Sequence, residues 1–298
     1  MRRNSINKIL ILVILIIGVA LGAVTFLNMK HKRENDPNRF NVTDKQIVNQ
    51  DTALTTEVTN DFLKSMNEKQ LIHYKIINSI DFFDTVKGEI NQFGISFDNE
   101  DIKFNIDVKS NMSLIEINSK SKDIKTIFND GKCRDFDEKN KTYRDIQVVS
   151  QDEYEGVKKS DLSKLMPNQR YNEGNVILPR STELLLGVDK SILSEAILGT
   201  YMKDYSKWDI DGNEEFLGRK CVKISGLRYG KDERSKAEKY IALIDDETGI
   251  VLKYDELDAN DKAVNGFSLK EINFNEAMNK DIFNLDVQGY SKESFDGK

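Results

Sequence analysis

The chain of 298 residues is poor in the side chains that carry most metal and nucleophilic chemistry, because it contains only two histidines and two cysteines. His31 precedes the main body of the chain, and His73 lies in a segment predicted to be helical. With only one histidine, the main body of the chain is poorly equipped for a zinc site built from histidines or for a Ser-His-Asp triad. HExxH, P-loop and GxGxxG motifs are also absent from the sequence. We therefore expect His73 to be structural, and we predict no catalytic, cofactor-binding or metal-ligating residue.

The cysteines Cys133 and Cys221 leave two interpretations open. Each lies beside a predicted turn and within a predicted strand. A disulfide is compatible with an oxidising compartment if the two strands are neighbours, and two unpaired thiols are the alternative.

A calcium loop is suggested only superficially by residues 209–215 (DIDGNEE). An EF-hand loop has its glycine at the sixth position, whereas Gly212 stands fourth. This segment is therefore predicted to be a turn between two strands.

Charge is distributed unevenly along the chain. Residues 1–33 hold six of the 44 Lys and Arg and none of the 50 Asp and Glu, so the remaining chain has an excess of twelve acidic side chains. A surface this acidic repels phosphate backbones, which argues against nucleic acid as a partner.

One long hydrophobic run, residues 9–27, contains no charged side chain. A helix of this length covers roughly 28 Å at about 1.5 Å per residue, close to the hydrocarbon thickness of a bilayer. We predict an uncleaved transmembrane anchor in contact with the lipid bilayer, preceded by a cytoplasmic tail, residues 1–8. A cleaved signal peptide is the alternative, although its apolar region is usually only ~7–15 residues long.

The orientation of the anchor follows from its flanks. Three Lys or Arg lie on each side, and the α-amino group adds one charge to the short N-terminal tail. The tail is therefore predicted to stay in the cytoplasm, which makes the protein single-pass in the cell membrane with its C-terminal domain extracytoplasmic. Gly18 and Gly22 form a GxxxG pair that is compatible with a helix-dimer face, although such pairs also arise by chance.

The extracytoplasmic part of the chain is predicted to consist of a linker (28–57), a domain (58–285) and a C-terminal tail (286–298). A helix is expected over residues 59–79, and a second one is indicated by apolar residues at helical spacing over 192–201, with Asp189 as N-cap.

Strand patterns dominate the rest of the domain. Alternating apolar residues begin near Phe104, and Asp130-Gly131 supplies the positive φ of a tight hairpin turn. Residues 245–249 are predicted to turn between two further strands. The alternation slips by one residue between Leu269 and Ile272, as a β-bulge would cause.

Four passages together resemble a known superfamily. Residues 78–88 (NSIDFFDTVKG) resemble the helix-to-strand passage of the LolA/RseB-like superfamily, which includes outer-membrane lipoprotein carriers and MucB-RseB sigma-factor regulators. Residues 129–132 (NDGK), followed by Asp137 and Tyr143, resemble its first hairpin.

The two later passages lie in the same order as in that superfamily. Trp208, Gly212, Glu214 and residues 217–221 (LGRKC) resemble its G-x-E strand pair, and residues 244–253 (IDDETGIVLK) resemble a further hairpin. The resemblance covers about residues 60–285 and does not identify ligand-contacting residues.

The resemblance implies an α+β fold, in which a curved antiparallel sheet forms an unclosed half-barrel with helices packed on its concave face. It implies binding rather than catalysis. The predicted function is a membrane-anchored binding protein for a lipid, a lipoprotein or an envelope partner such as a membrane protein, with a sensory or regulatory role. A carrier-like chaperone, an envelope enzyme and a purely structural envelope protein are the alternatives.

Overall fold

The computed structural model describes residues 60–94, 97–148, 153–154, 157–174, 176–180, 192–193, 195, 197–228 and 236–293. The predicted cytoplasmic tail (1–8), anchor (9–27) and linker (28–57), with the Gly18 and Gly22 pair, lie outside the described residues. Among the residues that are described, no helix is long and apolar enough to cross a membrane.

The described residues form short helices and many strands. The helices are α1 (Asn60–Lys64), α2 (Glu68–Ile77) and α3 (Leu198–Met202), with 3₁₀ turns at Ser79–Asp81, Lys159–Lys164, Pro167–Gln169 and Lys280–Phe283. The strands are β1 (Thr85–Gly94), β2 (Phe97–Asp107), β3 (Met112–Ser119), β4 (Asp123–Asn129), β5 (Lys132–Asp137), β6 (Thr142–Ile146), β7 (Glu153–Tyr154), β8 (Val157–Lys158), β9 (Trp208–Phe216), β10 (Arg219–Leu227), β11 (Lys239–Asp245), β12 (Val251–Leu257), β13 (Ala263–Phe274) and β14 (Ser291–Lys292).

Twelve of these strands form one open sheet in the order β14-β6-β5-β4-β3-β2-β1-β13-β12-β11-β10-β9. Neighbouring strands are antiparallel except β14, which pairs parallel to β6, so the sheet is mixed rather than purely antiparallel as predicted. A large unclosed sheet with few helices fits the predicted α+β half-barrel.

The predicted turn at Asp130-Gly131 and the predicted bulge near Leu269 are both confirmed. Asn129 pairs with Lys132, and the two residues between them have φ values of 51° at Asp130 and 69° at Gly131, the left-handed conformation that a type I′ hairpin requires. On β13 the register shifts so that Lys270 has no counterpart on β1. This extra residue is the predicted β-bulge.

The first predicted helix is divided in two. Asn67 accepts a hydrogen bond from the Gln70 backbone N–H at 3.0 Å, and its own N–H donates to the Gln70 side chain at 3.0 Å. This capping box starts α2 anew after a turn that ends α1. The turn at residues 65–67 therefore interrupts the predicted helix.

The second predicted helix is mostly wrong within the described residues. Only α3, Leu198–Met202, is helical, and Asp189 lies outside the described residues. The Glu195 N–H bonds to the Leu193 carbonyl at 2.8 Å, a tight turn that helical spacing does not produce. The Glu195 carboxylate also accepts the Arg180 N–H at 2.8 Å, so a tertiary contact accompanies the turn.

The turn predicted at residues 209–215 is also wrong, because these residues belong to β9. Ile210 pairs with Ile224 and Gly212 with Lys223, which leaves Asp211 as an extra residue in the strand. Gly212 has a φ of +120°, which is open to glycine. The acidic, glycine-containing pattern thus marks a bulged edge strand rather than a turn.

Alternating side chains give the sheet two apolar faces. We call the face that packs against α2 and α3 the inner face. The opposite side of β3–β5 carries a smaller cluster made by Met112, Leu114, Ile127 and Phe136, and the C-terminal segment 278–290 packs on it through Phe283 and flanking residues. Because β14 then pairs with β6, the domain continues past residue 285, into the predicted tail.

Candidate ligand-binding face

The inner face carries one continuous apolar cluster that extends across the sheet from β5 to β9. α2 supplies Ile72, Ile76 and Ile77 to this cluster, and α3 supplies Leu198, Tyr201 and Met202. Buried sheet residues complete it, among them Val86, Ile90, Ile102, Phe104, Ile106, Ile115, Phe128, Trp208, Val222, Ile224, Tyr240, Ala242, Tyr254 and Phe267. The inner face is therefore an extended apolar layer that is buried beneath short helices and 3₁₀ turns. We call these helices and turns the cover.

Four stacked aromatic rings cross one end of the inner face, and we call them the aromatic ladder. Tyr201 of α3 stacks on Tyr240 of β11, with ring centroids 5.7 Å apart. Tyr240 stacks on Tyr254 of β12 at 6.1 Å, and Tyr254 on Phe267 of β13 at 5.9 Å. All four rings are buried, so the ladder connects a helix of the cover to three strands.

A buried ion pair lies at the ladder. Arg228 Nε is 2.9 Å from Glu256 Oε1, and their side chains are 15% and 8% exposed. Arg228 also donates to Tyr201 Oη at 3.1 Å. Glu256 further accepts hydrogen bonds from Tyr254 Oη at 3.0 Å and Asn265 Nδ2 at 2.9 Å. Arg228 and Glu256 thus neutralise each other.

One polar atom of the ladder has no partner among the described residues. Tyr240 is fully buried, and its hydroxyl makes no hydrogen bond with any residue that the structure describes. Burial raises the pKa of this phenol above its usual value of 10.0. The hydroxyl lies over Gly226, where an added Cβ would stand 2.7 Å from Tyr240 Oη and 2.7 Å from the Cβ of Trp208.

His73 joins α2 to the rest of the cover. Its Nδ1 is 3.2 Å from Tyr205 Oη and its Nε2 is 2.8 Å from Tyr171 Oη, and Tyr171 also bonds the carbonyl of Gly199 in α3. Complete burial, with a smaller contribution from the charge of Arg170, lowers the pKa of His73 to about 3. An imidazole that is neutral at pH 7 and held at both nitrogens fits the structural role expected for it.

Two buried arginines bind the segment 159–180 to the residues that directly follow α2. Arg170 donates to Asn78 Oδ1 at 2.7 Å and to the Leu178 carbonyl at 2.7 Å, and burial lowers its pKa to about 10. Arg180 forms an ion pair with Asp81. These contacts position the cover over the inner face.

The two cysteines are free thiols, and both are buried. Seven strands of the sheet lie between β5, which carries Cys133, and β10, which carries Cys221. Neighbouring strands were the condition for a disulfide between them, and this condition is not met, which leaves the alternative of two unpaired thiols. Burial raises the pKa of both thiols to about 11, so neither is an activated nucleophile.

A small open cavity at the ends of β4–β6 has a different character, because charged residues such as Asp135, Asp137, Arg144 and Glu293 line it. Arg144 and Asp135 pair with each other at 2.7 Å. In the part of the chain that the structure describes, no group of three His, Cys, Asp or Glu side chains is arranged to hold a metal ion.

Sequence reasoning did not find the ladder. Its tyrosines come from separate elements, and nothing in their spacing shows that they stack. The only available signal is the presence of aromatic residues at inward-facing strand positions, which is equally typical of an ordinary core.

Neither the protein-family models nor the curated proteins include a match to this chain. Among solved structures, it is similar to an uncharacterised conserved protein from Thermus thermophilus, with 7% identity and a TM-score of 0.43 over 76% of this chain and 100% of that chain. MucB of Pseudomonas aeruginosa in its complex with MucA matches at 10% identity and a TM-score of 0.42, over 74% of this chain and 62% of that chain.

The lipoprotein LppX of Mycobacterium tuberculosis matches at 12% identity and a TM-score of 0.36, over 72% of this chain and 99% of that chain. No side-chain role is transferred from any of these proteins.

Proposed function

We propose that the chain is an extracytoplasmic binding protein that holds an acyl chain of a lipid or lipoprotein against its inner face. The observation that supports this is the continuous apolar cluster from β5 to β9, which is covered by short helical segments. Apolar surface of this extent, with only a few polar groups placed at one end, is typical of sites for apolar ligands.

The proposal includes a membrane tether at residues 9–27, supported by the uncharged run of bilayer length. A tethered protein cannot carry cargo across an envelope, so a sensory or regulatory role is favoured over transport. A signal would pass through a partner membrane protein or through the Gly18 and Gly22 helix face.

Lipid extraction tests the binding proposal. Residues 53–298 form a compact unit, which would be secreted from bacterial cells, purified without detergent, extracted with organic solvent and analysed by mass spectrometry. We expect about one acyl lipid per protein. Repeated absence of lipid from folded protein would contradict the proposal.

A matched variant controls for lipid adsorbed to the surface. Leu217 is an exposed hydrophobic residue, 41% accessible, at the β9–β10 hairpin. The Leu217→Asn variant should therefore carry the same lipid in the same amount. Loss of lipid from this variant would mean that the lipid binds outside the inner face.

A further inference from the structure

Three buried side-chain oxygens have no hydrogen-bond partner among the described residues, namely Ser79 Oγ, Ser163 Oγ and Tyr240 Oη. Serine hydroxyls are free to rotate towards nearby backbone carbonyls. A phenol hydroxyl is fixed near the plane of its ring, and the ring of Tyr240 is held between Tyr201 and Tyr254. Tyr240 is therefore the one of the three that cannot easily find an acceptor by rotating its side chain.

The position of this hydroxyl is set by the backbone beneath it. Gly226 pairs with both Tyr240 and Trp208 across β10, and its missing side chain leaves the room that the phenol occupies. The hydroxyl thus lies at the ladder end of the inner face, over Gly226 and on the same side of the sheet as Trp208.

The chemistry of the missing partner follows from the charges nearby. The Tyr240 hydroxyl is a protonated donor, so it requires an acceptor. Arg228 is already neutralised by Glu256, and Glu256 would repel a second anion in this low-dielectric end of the face. A neutral acceptor such as an ester carbonyl fits better than a carboxylate or a phosphate.

We propose that the Tyr240 hydroxyl donates a hydrogen bond to the ester carbonyl of an acyl ester whose hydrocarbon chain lies along the inner face. This inference rests on the proposed function and specifies its ligand class as a neutral acyl ester. The aromatic ladder would then flank the first carbons of the chain, and the Arg228–Glu256 pair would disfavour free fatty acids.

A cycle of two ligands and two proteins tests the hydrogen bond directly. The ligands are monoolein and its ether analogue, which keeps the chain and the glycerol but lacks the carbonyl. The full chain, delipidated and held in amphipol, would be titrated with each, with the fluorescence of Trp208, the only tryptophan, as the readout. We expect the wild-type chain to prefer the ester about fivefold to tenfold, the size of one net hydrogen bond, and to bind oleate more weakly than monoolein.

The Tyr240→Phe variant keeps the ring and removes only the hydroxyl. It should bind ester and ether equally, and without ligand its melting temperature should be unchanged or higher because no hydrogen bond is lost. The Tyr290→Phe variant removes a hydroxyl from the opposite side of the sheet and should keep the ester preference.

Equal binding of ester and ether by the wild-type chain would overturn the inference, as would an ester preference that survives in Tyr240→Phe. In both cases the chain would still bind acyl ligands, and the proposed function would stand. Failure of every acyl ligand to bind would instead refute the proposed function and the inference together.

Discussion

The two apolar faces of the sheet are covered in different ways. On the side of β3–β5 opposite to the inner face, the C-terminal segment packs on the smaller apolar cluster, which we call the outer cluster. Specific polar contacts fix the segment there. Asn129 donates to the Phe283 carbonyl at 3.0 Å, Arg134 donates to the Leu285 carbonyl, and Tyr290 Oη bonds Glu138 at 2.5 Å. On the inner side, all three unpartnered buried oxygens of the described residues lie in or under the cover.

This difference separates a structural cluster from a candidate binding face. Unsatisfied buried polar atoms are rare in native proteins because each costs about 1–3 kcal/mol. A cover that completes its hydrogen bonds has no need of a ligand, whereas one that leaves a rigid donor unpaired gains from an added acceptor. We therefore expect the outer cluster to act in stability, and the proposed binding to depend on the inner face.

Truncation of the outer cluster gives the largest expected effect. Phe283 is fully buried among β3–β5 side chains, and Phe283→Ala should lower the free energy of unfolding by about 3–5 kcal/mol. Chemical denaturation measures this loss. Acyl-ligand affinity of the folded variant should not change, and a large loss of affinity would remove the distinction between the two faces.

Acid should weaken the inner cover through His73. Its pKa is 6.5 in the unfolded chain and about 3 in the folded one, so below pH 6.5 the unfolded state binds the extra proton. The free energy of unfolding should therefore fall by up to about 1.4 kcal/mol per pH unit as the pH drops from 6.5 towards 3. Denaturation series at several pH values would show this slope, and His73→Gln should lack that part of it.

A methyl group added to the floor of the inner face tests how tightly it is packed. In Gly88→Ala the new Cβ would lie 2.4 Å from the Glu271 carbonyl oxygen and 2.7 Å from Cζ of Phe104. Such overpacking should cost about 1–3 kcal/mol of stability and should also weaken acyl binding. Unchanged stability and binding would mean that the neighbouring backbone and side chains can shift at little energetic cost.

The smallest expected effect lies outside both faces, at the β9–β10 turn. Leu217 has a φ of 53°, a left-handed conformation that is strained for a branched side chain. Leu217→Asn should raise the free energy of unfolding by about 1 kcal/mol, visible as a higher melting temperature. A lower melting temperature would show that the leucine makes a stabilising contact.

Local signals explain which parts of the fold were predictable. The Asp130-Gly131 turn and the bulge at Lys270 depend on the conformation of one or two residues, and the sequence pattern shows both directly. The division of the first helix depends on the Asn67 and Gln70 capping box. That box is also local, but it lies inside an apolar pattern that continues through it.

Non-local contacts explain the rest. The turn at Leu193–Glu195 forms where the Glu195 carboxylate meets the Arg180 backbone, which helical spacing cannot reveal. The candidate site depends on the strand order that brings Tyr201, Tyr240 and Tyr254 into one stack. Only the register of separate strands determines this, so the sequence predicted the fold class and none of the residues of the candidate site.

Quenching of Trp208 by brominated acyl chains tests the central claim most directly. Trp208 is 1% exposed and lies on the inner face, so bromine atoms quench it only when a chain enters beside the sheet. We predict saturable quenching at one ligand per protein, with unbrominated lipid competing for the same site. Emission that stays constant, in folded protein and at every ligand concentration, would contradict the assignment of the inner face as an acyl-binding surface.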